Sequence, residues 1–353
     1  SQVIRLNNLD DSIKYMKSDS IFDKNAIEDG YRYYPYLITK QDITKAIFLF
    51  NCKDINNNCD YKDVGILYNY FNYRNFRTSV DKLVETLEYK QENDKVFNIV
   101  NIKGDERKKI KFAVANASLD FKNFSERVIG KPNLSLKRYN ELAEIIKQAV
   151  KNKADILVLP ESYIPFEWLG LIEREVKKNN MAIITGVEHL IINNSVYNII
   201  ASFFPYEGDN YKFVYSNLRT KVHYAPGELS NIRGYGFKEV TGKEYNLFSW
   251  NNIWISVFCC FEIAAIKDRS VYASIADVFT VVEWNKDINY FSNIIESLSR
   301  DLHCYCVQVN SSSYGDSCVI QPSETYKKAI LRTKGGENSS VLIGEIDVDK
   351  LRR

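Results

Sequence analysis

No stretch of this sequence is long and apolar enough to span a bilayer. Its apolar runs, such as ILVLP at 156–160, fall far short of the roughly 18–20 residues a membrane span needs. An excess of one charge is also missing: Lys plus Arg is 47 against 45 for Asp plus Glu, a net of +2. That balance gives no electrostatic case for nucleic acid or an acidic membrane surface, so neither is expected as a partner. The opening Ser1-Gln2-Val3-Ile4-Arg5 carries no secretory signal pattern, and the first residue is not Met, which fits a fragment of a longer polypeptide. Internal repeats and long low-complexity tracts are absent.

Cysteine lacks the arrangement that disulfide or zinc frameworks need. Seven cysteines make an odd, scattered set, with Cys259 and Cys260 adjacent. Reduced thiols in the cytoplasm are the expectation. Cys52 and Cys59 have no companion pair of Cys or His, so no metal site is expected there. Cys304 and Cys306 fall in the apolar run CYCVQV and read as core. Histidine is limited to His189, His223 and His303, which leaves a Cys/His hydrolase little to work with.

What is present is an ordinary globular composition: 353 residues, 45% hydrophobic and 26% charged. A chain of this length can build its core without staples. Two parts are distinguishable. Residues 1–110 hold only three of the fifteen glycines but ten of the 24 tyrosines. DITKAIFLF (42–50) and SVDKLVETLEYK (79–90) read as short helices, with Asp42 and Ser79 or Asp81 as N-caps, around a polar loop at 54–63. The charged stretch 91–110 reads as a boundary. The expected division is therefore 1–109, a mainly helical appendage, and 110–353, a second domain.

From residue 110 onward strands and helices alternate. IKFAVANASLDF (110–121) reads as a strand. In 136–154, Leu142, Ile145, Ile146 and Ala149 share one helical face. Strands at 155–163 and 181–189 flank a helix at 166–180, and VYNIIASFFP and YKFVYSNLRT form a hairpin around EGDN. IWISVFCCFE and DVFTVVEWN read as buried strands, 288–304 as a helix, and four strands close the chain. This order predicts a layered α/β fold.

Three polar residues end or interrupt these buried strands. Glu161 directly follows ILVLP, Lys221 follows YKFVYSNLRT, and Cys260 ends IWISVFCC. Together they supply a base, a cation and a nucleophile at strand ends, where active sites of open α/β sheets form. A free thiol has a pKa of about 8.5, so a base or cation must activate it at neutral pH.

The stretches ILVLPESYIP (156–165), LRTKVHYAPGE (218–228) and ISVFCCFEIA (255–264) resemble the Glu, Lys and Cys segments of the carbon–nitrogen hydrolase, or nitrilase, superfamily. GVEHLIINNSVYNIIASFFP (186–205) and SRDLHCYCVQVNSSSYGDSCVIQPS (299–323) are similar to its intervening hairpin and terminal elements. The resemblance covers about 110–353. It implies a four-layer αββα sandwich, commonly paired into homodimers or higher oligomers. It also implies Glu161 as general base, Lys221 as electrostatic stabiliser, Cys260 as nucleophile and Glu228 as the acid that orients the lysine. The Phe261 N–H would join Lys221 in holding the oxyanion, and Trp284 and Asn285 would line the pocket. In the family an aromatic residue and an acid follow the nucleophile, which fits Cys260-Phe261-Glu262. Adjacent strand residues face opposite ways, so only one of Cys259 and Cys260 is expected to meet Glu161.

Two departures stand out: Ile263-Ala264-Ala265 is apolar where the family often has Arg or Asn, and Pro322-Ser323-Glu324 stands for its Pro-x-Gly turn. The resulting expectation is a hydrolase of a small-molecule amide, with no metal and no cofactor. The alternative is a nitrilase-like oligomerisation or regulatory module of a larger protein, such as a bacterial defence-associated reverse transcriptase. No Tyr-x-Asp-Asp polymerase motif is present.

Overall fold

The computed structural model describes residues 84–352 except Asn93, Gly130, Asn193, Asp209 and Asn210. The helices expected at 42–50 and the loop at 54–63 lie outside the described residues. The chain runs β1 (Val84–Glu92), β2 (Lys95–Ile102), β3 (Lys109–Asn116), α1 (Phe121–Arg127), α2 (Leu136–Lys151), β4 (Ile156–Val158), α3 (Leu169–Asn179), β5 (Ala182–Ile192), β6 (Ser195–Gly208) and β7 (Tyr211–Thr220). It continues through α4 (Pro226–Gly234), β8 (Lys238–Glu239), β9 (Glu244–Trp250), β10 (Ile253–Cys259), α5 (Ile266–Ser270), β11 (Val278–Glu283) and α6 (Ile288–Asp301). It closes with β12 (Tyr305–Asn310), β13 (Ser317–Ile320), β14 (Ala329–Thr333), β15 (Ser340–Asp347) and α7 (Val348–Leu351).

Two sheets form. One has the order β1-β2-β9-β10-β11-β12-β13-β14, the other β15-β3-β4-β5-β6-β7 with β8 beside β6. Strand alternation divides the second sheet cleanly. Ile110, Phe112, Val114, Ile156 and Val158 enter the core shared with the first sheet. Ala113, Ala115 and Leu157 face the other way, onto α2 and α3. Period-2 side chains thus cover both faces of one sheet, and α6 covers the outside of the other through Phe291, Ile295 and Leu298. The result is the expected αββα sandwich.

Helix α2 forms as its periodicity requires. Ser135 caps it by accepting the Arg138 N–H, and Leu142, Ile145, Ile146 and Ala149 are buried. Truncating Leu142 to Ala would cost about 2–5 kcal/mol of stability.

The segment before residue 110 corrects the sequence reading. Residues 84–90, expected as part of a helix, belong to strand β1. β2 pairs in parallel with β9 along Val96–Ile102. Phe97, Val100 and Ile102 are core residues. The described part of 1–109 is therefore woven into the sandwich, and removing it would strip an interior pairing edge from β9. The helical expectation failed because β1 is an outer strand whose side chains are mostly exposed, so burial left no alternation to read.

Candidate active site

Glu161 follows β4 in a turn that lies on β5. Gly186 permits the close approach: a Cβ there would stand 2.4 Å from the Glu161 Cα. The Gly186 N–H donates to the Pro160 carbonyl (3.0 Å), and the Gly186 carbonyl accepts from Tyr163 and Ile164. Lys221 leaves β7 with its N–H on the Asn198 carbonyl at 2.8 Å. These two anchors bring base and cation together from different strands.

Lys221 is fully buried. Its Nζ donates to Glu161 Oε1 and to Glu228 Oε2, both at 2.7 Å. Asn198 Nδ2 bridges the same carboxylates, 2.8 Å from Glu161 Oε1 and 2.7 Å from Glu228 Oε1. Burial alone would lower the Lys221 pKa, but Glu161 and Glu228 outweigh it and hold it well above the usual lysine value. Burial would likewise raise Glu228; Lys221 and His189 overcome it and bring Glu228 down to about 2. Opposite charges at hydrogen-bond distance thus keep Lys221 and Glu228 ionised.

The cysteine segment closes the cluster. β10 ends at Cys259, and Cys260 begins a 3-10 turn with φ +47°. This left-handed residue ends the strand alternation, which corrects the expectation that only Cys260 could meet Glu161. The Cys259 thiol donates to Glu161 Oε1 at 3.2 Å. Cys260 shares the same electrostatic neighbourhood: Glu161, Lys221, Glu283 and Glu228 all act on its thiol. Burial, then Glu161, push both thiols well above the usual cysteine value, against the opposing pull of Lys221. The resting thiols are therefore protonated.

Glu262 fixes the turn. It accepts from Arg219 at 2.8 and 2.7 Å, from the Val222 N–H at 2.6 Å and from the Cys259 N–H at 2.7 Å. This buried pair ties the cysteine turn to the strand that leads into Lys221. Phe261 packs against the main core.

The remaining sequence-derived residues divide. The Trp284 N–H donates to Glu161 Oε2 at 3.1 Å, so the end of β11 orients the base directly. Asn285 is tied into its own loop: its N–H and carbonyl engage Asn310, and its Oδ1 accepts the Asp287 N–H. His223 pairs with Asp268 and Lys95.

Several participants escaped the sequence reading. Asn198 sits in the quoted Tyr197-Asn198 hairpin, the one signal that could have marked it. His189 bridges Ser162 Oγ (3.3 Å, through Nδ1) and Glu228 Oε1 (3.2 Å, through Nε2), and nothing local announced that. Arg219 was not singled out either, and its pairing with Glu262, the acid after Phe261, arises only through the fold. Next to Ser162 lies a small recess of about 10 Å³, room for about one water, bordered by Leu119, Phe124, Ser162 and Trp284 among others.

No family model matches the chain, and no curated protein matches its sequence. Solved structures do. The chain is similar to XC1258 from Xanthomonas campestris, a CN-hydrolase superfamily protein with an arsenic adduct in its active site: 14% identity, TM-score 0.50, covering 69% of this chain and 92% of that one. An amidase from Nesterenkonia sp. AN1 aligns at 11% identity and TM-score 0.49, over 70% of this chain and 95% of that one. A carbon–nitrogen hydrolase from Helicobacter pylori G27 aligns at 13% and 0.49, over 69% and 91%. The match to XC1258 shows that the sandwich is the carbon–nitrogen hydrolase fold.

Proposed function

We propose that this chain is a carbon–nitrogen hydrolase that cleaves a small-molecule amide through Cys260, Glu161 and Lys221. The observation that carries the proposal is Lys221, fully buried and held at 2.7 Å by Glu161, whose same oxygen accepts the thiol of Cys259, the residue before Cys260. A buried lysine between two glutamates is costly as a mere core feature. As a catalytic arrangement it has a clear use.

Because the resting thiol is protonated, attack requires a base. The Cys260 sulfur bonds to the amide carbon as its proton passes to Glu161. Lys221 and the Phe261 N–H, at the start of the 3-10 turn, stabilise the oxyanion. Glu161 returns the proton to nitrogen, the C–N bond breaks and the amine leaves. Water then attacks the thioester with Glu161 as base again, releasing the carboxylic acid and the thiol. Glu228 keeps Lys221 charged and in place.

Cys260 is preferred to Cys259 on structural grounds. Cys259 is wholly enclosed, and its sulfur also accepts the Glu262 N–H. Cys260 stands on the strained elbow and keeps 5% of its surface exposed. Non-glycine residues held at positive φ concentrate where function over-determines the backbone. The described cysteines are all free and buried, which fits a reducing compartment such as the cytoplasm.

The test is turnover of a panel of small amides, with mass spectrometry of the acyl-enzyme. Cys260→Ala abolishes turnover, and the adduct in the native protein maps to Cys260. An adduct on Cys259, or native turnover by folded Cys260→Ala protein, overturns the assignment. Retained biological activity in that folded variant would point to a scaffold instead.

A further inference from the structure

Asp268, on α5, gathers donors from three other segments. Lys95, the first residue of β2, donates to Oδ1 at 2.8 Å and to Oδ2 at 2.6 Å. His223 Nε2 stands 2.7 Å from Oδ2, and the Tyr245 hydroxyl of β9 donates to Oδ2 at 3.0 Å. A carboxylate oxygen offers about two lone-pair sites, so Oδ2 is oversubscribed. Burial would raise the Asp268 carboxyl, but the hydrogen bonds from Lys95, His223 and Tyr245 overcome it and hold it below the usual aspartate value. One anion therefore faces Lys95 and His223 at once.

Those two also touch each other: Lys95 Nζ lies 3.0 Å from His223 Nε2. A neutral imidazole tolerates that neighbour. Its Nε2 accepts from the ammonium in one tautomer and donates to Asp268 without adding charge in the other. An imidazolium does not tolerate it, because two cations then stand 3.0 Å apart over one carboxylate. The further charged groups at this corner are Glu92, which ends β1 and pairs with Lys90 at 2.8 Å, and Lys267, next to Asp268 on α5. Lys243 and Glu244 stand opposite Val96 across the pairing with β9.

Solvent protons reach His223, whose side chain is 32% exposed against 7% for Asp268. Histidine is the side chain that ordinarily changes charge between about pH 5 and 8. His223 lies two residues after Lys221, and the Val222 N–H between them is held by Glu262 at 2.6 Å. Asp268 follows the cysteine turn. The His223–Asp268 contact is thus a rung between the lysine and cysteine segments, and Lys95 ties the start of β2 to that rung. A proton on His223 strengthens the rung and weakens the tie.

We infer that Lys95 and His223 compete for Asp268, which makes the start of β2 a proton-sensitive latch, closed by Lys95 when His223 is neutral and released when His223 is charged. The latch stands on these contacts whether or not the chain hydrolyses amides.

Proton NMR titration of the three histidines in the full chain tests the competition, with His223→Gln identifying the His223 signal. Lys95→Met should raise the His223 midpoint by at least about half a pH unit, because it removes the adjacent cation, and Asp268→Asn should lower it. Hydrogen exchange tests the release. Native protein and His223→Gln are compared at the same pH, which cancels the intrinsic pH dependence of exchange. For the 96–98 amides, the native-to-variant rate ratio should be at least about threefold higher near about pH 5.5 than near about pH 8. Folding of each variant is verified by circular dichroism, and Lys95→Gln and His223→Asn stand in should either first variant fail to fold. A His223 midpoint that stays put or falls on removal of the Lys95 charge, or a rate ratio independent of pH, overturns the latch.

Discussion

Four glutamates, Glu161, Glu228, Glu188 and Glu283, fall into two contrasting pairs. Glu161 and Glu228 share one ammonium, and each also accepts from Asn198. Glu188 and Glu283 are as deeply placed, but each keeps one carboxyl oxygen without a partner among the described residues. Glu228 falls to about 2 because Lys221 and His189 outweigh its burial. Glu283 rises to about 8 because burial dominates and Glu161 adds repulsion, against a single hydrogen bond from Gln308. Glu188 rises to about 7 for the same reason, with Arg127 opposing. The residue type is the same in both pairs; the partner sets the charge. Lys221 holds Glu228 ionised, whereas burial keeps a proton on Glu188 up to about 7 and on Glu283 up to about 8.

The most severe way to break this contrast is Lys221→Met. It leaves two carboxylates bridged only by Asn198, so one of them should take up a proton. Turnover should fall by about two to three powers of ten, the usual loss for one oxyanion-stabilising group. Stability in denaturant should drop by about 3–5 kcal/mol, the cost of unpairing a buried charge. Normal turnover would show that the cluster is not catalytic.

Arg219→Met should unpair Glu262, also by about 3–5 kcal/mol. Here the damage would be to folding and to placement of the cysteine turn, read as a lowered urea midpoint. An unchanged midpoint would mean that the Val222 and Cys259 N–H groups suffice for Glu262.

Glu283→Gln sharpens the other side of the comparison. The native protein keeps the Glu283 proton up to about 8, whereas an unperturbed glutamate loses it near 4.5. Its contribution is fully present below about 4.5 and is lost as pH rises through about 8. For one proton the slope is at most about 1.4 kcal/mol per pH unit. The Gln variant should therefore lose less stability than the native protein between pH 5 and pH 8, by urea unfolding at both. An identical loss would show that Glu283 ionises freely. Glu188→Gln should act in the same sense but more weakly, because its window closes near 7.

The sequence made the sandwich legible wherever burial imposed a period. Helix α2 shows all four predicted apolar positions buried, and β3 alternates as a two-faced strand must. β1 was misread because its exposed side chains carry no such imprint. The candidate site was legible in part for a related reason. A carboxylate, an ammonium and a thiol at the ends of apolar strands are conspicuous because each is expensive to bury alone. Residues that satisfy those groups, such as Asn198 and His189, look ordinary in the sequence.

By itself, then, the sequence determined the layered α/β class and the presence of Glu161, Lys221 and Cys260 at strand ends, since both follow from local hydrophobic patterning. Only the tertiary structure decided which acids keep their charge, that the Cys259 thiol reaches Glu161, and that residues 84–102 complete a sheet. Each of those depends on contacts between segments remote in sequence. Lys221 lies 60 residues from Glu161, and Arg219 lies 43 from Glu262. The energy of a buried charge is set by whatever the fold places within hydrogen-bond reach.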